Sequence, residues 1–230
     1  MCLAAPVAVH AQGDYLDVYI VKVKPEKLAD FQALTKKWID ANRRFNGDHW
    51  IAMETVYGDG NVFQFTSVRQ DYADVDKVNE AVMNAANKTF GKEIADKMGR
   101  DFQNCLVWSR SELRRRRWDL SRKAPTDPAT YAKFIGESRV LRTNAVHVRP
   151  GHVPEFEALM FQQVNAESVD HTESTLFRFS PELSNPPEEV ATVAADFWRP
   201  KAAMAASASK PKAPTAKSAE LKPTADKPKQ

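Results

Sequence analysis

The chain has 230 residues, 43% of them hydrophobic, with a formal net charge of +3. Residues 201–230 alone carry +5, which leaves −2 for residues 1–200 and excludes a basic nucleic-acid-binding core. Two cysteines, Cys2 and Cys105, exclude a disulfide framework, and no apolar run reaches the roughly 18 residues of a membrane span.

Residues 1–13 begin with the short apolar run Leu3–Val9. Val9-His10-Ala11 follows, with small residues where a signal peptidase reads. The pattern predicts an exported chain, periplasmic or secreted, cut after Ala11. The missing basic stretch before the apolar run leaves a plain apolar terminus, and a cytoplasmic protein, as the alternative.

Tyr15–Lys24 is rich in β-branched and aromatic residues and stops at Pro25, as a strand does. Leu16, Val18 and Ile20 occupy one face; Tyr19, Val21 and Val23 occupy the other. A strand apolar on both faces is covered on both. Leu28, Phe31, Leu34, Trp38 and Ile39 then recur at helical spacing up to Asn46-Gly47. His49–Val56 and Val62–Val68 flank a Gly-rich turn and predict a hairpin. From Asp71 to about Leu113 the spacing is mostly helical, with Gly91 and Gly99 as weak points; Leu106 and Trp108 either continue the helix or begin a short strand. Residues 119–137, with Pro125 and Pro128, are expected to be a connector between a first unit at 14–118 and a second at 138–199.

The second unit repeats the first at a fixed offset of 125. Val21-Lys22-Val23-Lys24-Pro25 becomes Val146-His147-Val148-Arg149-Pro150, and Phe31-Gln32-Ala33-Leu34 becomes Phe156-Glu157-Ala158-Leu159. An ungapped match of this kind points to duplication. The pattern breaks after Val169. One strand, Ser174–Phe179, precedes a proline-rich stretch that forbids a central strand, and Glu188–Trp198 is spaced as a short helix. The partner strand is missing, which predicts an incomplete second unit with an exposed apolar edge, and raises truncation or a frame change near residue 170 as its origin. Residues 200–230, rich in Lys, Ala and Pro, are expected to be disordered.

A strand ending Val-x-Val-[Lys/Arg]-Pro, a helix with Phe-x-Ala-Leu and a following hairpin resemble the dimeric α+β-barrel superfamily. The likeness is to its NIPSNAP-like and antibiotic-biosynthesis-monooxygenase-like branches. The resemblance implies an α+β fold of two ferredoxin-like repeats, antiparallel sheets with helices on one face, closing around a cavity. It implies a small apolar or aromatic ligand, a possible homodimer, or a cofactor-independent monooxygenase or haem-handling enzyme.

Within that frame Asp17 and Tyr19 share a strand face equivalent to that of Arg142 and Asn144, and are expected to line the cavity, with Asp17 as acceptor and Arg142 as donor. An edge face open to water is the alternative. His49 and Trp50 open the second strand and complete the candidate ligand-binding set. No cofactor is required by any motif; haem, through a histidine, is the one the resemblance admits. No metal-ligand spacing links His147 to His152. Cys105 sits among apolar neighbours as an inert buried thiol. The basic run Arg110–Lys123 is either a solvated face or a surface for anionic partners; no specific nucleic acid is expected.

Overall fold

The computed structural model describes residues 15–120, 125, 127–159 and 169–200. The stretch expected to be an export signal, part of the connector and the lysine-rich tail lie outside the described residues.

Strand β1 (Tyr15–Val23) runs to Pro25, where a 3₁₀ turn leads into helix α1 (Leu28–Phe45). Pro25 has no N–H to donate and its φ suits a helical start. Asn46 ends α1 in the left-handed region at φ 49°, its N–H donating to the Asn42 carbonyl. Gly47 follows because the Asn42 side chain fills the space beside it: a Cβ there would stand 1.8 Å from Asn42 Oδ1. That oxygen accepts the Asp48 N–H at 2.9 Å. Strands β2 (Ile51–Tyr57) and β3 (Val62–Arg69) form the expected hairpin.

The long helical stretch divides at Gly91, φ 82°, into α2 (Ala73–Phe90) and α3 (Lys92–Asn104). Gly99 stays inside α3. The chain then turns into β4 (Leu106–Arg115), a ten-residue strand along the outer side of β1. Its alternating charged side chains suit a sheet edge. The order β-α-β-β-α-β, with one helix broken, and the strand order β4-β1-β3-β2 are those of a ferredoxin-like unit.

The connector holds a helix of its own, α4 (Pro128–Glu137). Asp127 caps it, its carboxylate accepting the Thr130 N–H at 2.8 Å, with Pro128 in the first turn. Strand β5 (Val140–Val148), helix α5 (Val153–Leu159) and strand β6 (Val169–Phe179) follow. Val21–Leu34 and Val146–Leu159 thus share one course: strand, proline corner, helix. The second helix is only seven residues long. After a 3₁₀ turn at Pro181–Leu183 come two short helices, α6 (Glu188–Ala191) and α7 (Ala195–Trp198).

The six strands among the described residues join one antiparallel sheet, β4-β1-β3-β2-β6-β5. The missing partner of β6 is supplied by β2 of the first unit, so the two expected sheets meet edge to edge. The edge opposite β4 is β5, where Val140 is 58% exposed. Helices cover both faces, where the resemblance implied one. On one face Phe31, Phe63, Val21 and Val23 are at most 1% exposed and pack with Phe102, Cys105 and Leu106. On the other, Met53, Phe177 and Phe179 pack under Ala132, Val190, Ala191 and Trp198 of α4, α6 and α7. Burying each large apolar side chain contributes about 1.5–3 kcal/mol. Two such faces give β1 a reason to be apolar on both sides.

Candidate functional site

On the second face, between the sheet and α4 with the stretch after β6, lies a cavity of about 960 Å³. Its floor is the inward row of the strands: Leu16 and Val18 of β1, Met53 of β2, Thr66 of β3 and Leu141 of β5. Tyr131, Phe134 and Ile135 of α4 face it from above, and Pro186 and Pro187 close one side. Polar groups gather at its ends: Arg43, Asp48 and His49 near the α1–β2 loop, and Glu188 and Arg199 by α6 and α7.

The wall nearest β2 is tied by a dense set of hydrogen bonds. Trp50 and Asn185 exchange backbone N–H···O bonds, each of 2.9 Å. The Trp50 indole N–H donates to the Leu183 carbonyl at 2.9 Å, and the Ala52 N–H to Ser184 Oγ at 2.8 Å. Asn185 donates from Nδ2 to the Asp48 carbonyl at 2.7 Å and accepts from Arg43 Nε at 3.1 Å. Ser184 and Asn185 are at most 2% exposed, so each of these bonds answers a buried polar group.

Behind the Asp48 loop stands an ion-pair cluster. Arg69, 5% exposed, meets both oxygens of Asp48, Nη1 to Oδ1 at 2.9 Å and Nη2 to Oδ2 at 2.6 Å. It also donates to Asp17 Oδ2 from Nη2 at 3.0 Å and Nε at 3.2 Å. Ser67 Oγ adds a bond to Asp48 Oδ2 at 3.0 Å. Burial works to lower the guanidinium's pKa, but the hydrogen bonds and charges of the two carboxylates outweigh it and hold it above its ordinary value.

These positions separate the sequence-derived candidates. His49 and Trp50 line the cavity, His49 exposed at its rim and Trp50 half-buried. Asp17 and Tyr19 alternate onto the opposite face, toward α1 and α3, and do not line it. Asp17 is bound to Arg69, and Tyr19 Oη accepts from Gln103 Nε2 at 3.4 Å. Arg142 and Asn144 lie on the corresponding face of β5, exposed, with Arg142 Nε donating to Ser174 Oγ at 3.1 Å. The expected polar lining, with Asp17 as acceptor and Arg142 as donor, is therefore not brought to this cavity: Asp17 meets Arg69 and Arg142 meets Ser174 instead. The reason is strand alternation: Leu16 and Leu141 face the cavity, so their neighbours face away.

Asn185, Arg43 and Asp48 carry the cavity wall and escaped the sequence reading, because their partners are far away along the chain. Cys105 is 2% exposed; burial first, then the Asp30 charge, pushes its thiol up. In the basic run Arg110 and Arg114 both pair with Glu112, Arg117 pairs with Glu157, and the Arg116 guanidinium lies over Trp118 and Tyr131. Much of the run is thereby engaged within the fold.

No protein-family model matches the chain, and no curated protein matches it. Among solved structures it is similar to a conserved protein from Methanosarcina mazei Go1, at 15% identity and a TM-score of 0.34. The match covers 46% of this chain and 96% of that one.

Proposed function

We propose that the protein binds a small, mainly apolar or aromatic ligand in the cavity between its sheet and α4, as an α+β-barrel protein of the dimeric-barrel kind built from a duplicated unit in one chain. The carrying observation is the cavity itself: about 960 Å³, within the range of small-molecule sites, with an apolar floor and roof and polar groups at its ends. The shared strand, proline and helix at Tyr15–Phe45 and Val140–Leu159 supports the duplication. In this reading α4 and the stretch after β6 do what a second barrel half would do, which is to cover the apolar row of the sheet.

The test is titration of the full chain with a fluorescent apolar probe and with planar aromatic acids, read by probe emission and by quenching of tryptophan fluorescence that is lost in Trp50→Phe. Saturable binding is expected, weakened tenfold or more by Thr66→Trp, which fills the floor, and by Phe134→Glu, which puts a charge on the roof. Phe134 is 60% exposed, so that variant keeps its fold. No saturable binding, or binding indifferent to both variants, overturns the proposal. A second reading, haem handling, rests on His49 at the rim of the same cavity; a Soret band formed on haem titration and lost in His49→Ala would select it.

A further inference from the structure

Beyond the cavity, β5 and β6 run on as a two-stranded ribbon, because β2 pairs with β6 only over residues 176–179. Near its end the register slips: His147 faces His171, while Val148 faces Val169. Asp170 is thus an extra residue on β6, a β-bulge. Successive strand residues ordinarily point to opposite faces, but a bulge re-aims them. Here it lets two neighbours in sequence meet, Asp170 Oδ2 lying 2.8 Å from His171 Nδ1.

Across the ribbon the His147 and His171 rings stack, 4.0 Å between centroids and 9° between planes. Glu173 stands on the same face. Its Oε1 is 3.4 Å from His171 Nε2 and 3.8 Å from His147 Nε2. One ligand atom from each of the three lies within 4.8 Å of the others.

We propose that His147, His171 and Glu173 form a binding site for a divalent transition-metal ion of the zinc class, with Asp170 as the carboxylate that orients His171. Zinc bonds of about 2.0–2.2 Å at tetrahedral angles set ligand atoms roughly 3.3–3.5 Å apart. Two of the separations here are within a few tenths of an ångström of that, and rotation of an exposed imidazole closes the third. Asp170, accepting the Nδ1–H, fixes the tautomer that leaves the Nε2 lone pair toward Glu173, the arrangement metal-bound histidines use. Two imidazoles and one carboxylate favour zinc, nickel or copper over magnesium or calcium, which prefer all-oxygen shells. The carboxylates of Asp170 and Glu173, 2.8 and 3.4 Å from the His171 ring nitrogens, give this point a negative field that favours a cation. Three protein ligands leave one coordination position for water or an anion. The site sits on the cavity face of β5, four residues beyond Thr143, roughly 13 Å along the strand.

The experiment uses the full chain without a histidine tag, titrated with Zn²⁺ against a chromophoric chelator, and with Co²⁺ read by its visible absorption. One equivalent per chain is expected. His147→Ala and His171→Ala each lower the affinity tenfold or more, Asp170→Asn lowers it roughly ten- to a hundredfold, and His49→Ala and His152→Ala leave it unchanged. In the wild type, Zn²⁺ shifts the imidazole NMR signals of His147 and His171 together and leaves those of His49 and His152 in place. Less than one equivalent bound, affinity retained in the double variant His147→Ala/His171→Ala, or NMR shifts confined to other histidines overturns the proposal.

Discussion

Strands β1 and β5 begin from the same sequence pattern and end in different surroundings. In β1, Val21 and Val23 are fully buried between β4 and β3, beneath an eighteen-residue helix. In β5, Val146 and Val148 are half-exposed at the sheet edge, beside a seven-residue helix. The residues set the local course of the chain: an extended run, a proline that cannot donate, a helix. What that course contributes to stability depends on neighbours the motif does not encode.

The comparison breaks first at the paired phenylalanines. Phe31→Ala is expected to cost about 3–5 kcal/mol, since Phe31 is 0% exposed and touches Phe63, Phe65 and Phe102. Phe156→Ala, at the matching but half-exposed position, is expected to cost under about 1 kcal/mol. Urea unfolding of both variants checks it, and equal losses would mean the two units are packed alike.

A smaller contrast lies between two arginine pairs. Arg69→Met leaves Asp17 and Asp48 without their cation in a nearly closed site, and about 3 kcal/mol is the expected loss. Arg178→Met removes a pair with Glu54 in which the arginine side chain is 63% exposed, and a loss below about 1 kcal/mol follows. The second loss should shrink further in high salt, whereas the first should hardly change.

The smallest effect is that of pH on Cys105. Its thiol pKa is raised in the fold, so the native state holds the proton longer than the unfolded one. The resulting stability is whole below the ordinary thiol range and erodes as pH climbs through it toward the folded value. Alkylation checks the same point: at mildly alkaline pH the native thiol should react more slowly than the denatured one. A faster native reaction would make Cys105 an activated thiol instead.

The first unit was legible because its signals are local. Alternating apolar residues, Pro25 and Asn46-Gly47 mark its elements directly. Helix α4 also carried a local signal, Asp127-Pro128 as cap and first turn, but it lay inside a stretch whose prolines resembled a linker. Strand β4 was ambiguous because Leu106–Arg115 has few apolar residues, and an edge strand needs only one buried row. The cavity wall was not legible. Nothing near Asn185 in the sequence shows that it will pair with Trp50, and His147 meets His171 and Glu173 only through a strand register and a bulge. Leu183 and Trp198 are 0% exposed, and the prolines at 186 and 187 border the cavity. The stretch whose pattern departs from the first unit is thus built into the fold as far as α7.

The reciprocal bridge between Trp50 and Asn185 makes one wall of the cavity depend on a segment that belongs to no sheet. Whatever lodges against that wall gains contacts only while residues 180–199 are docked, so occupancy and docking reinforce each other. Limited proteolysis near Pro186 would then slow in proportion to the fraction of chains loaded, giving a readout of occupancy that requires no knowledge of the guest's chemistry.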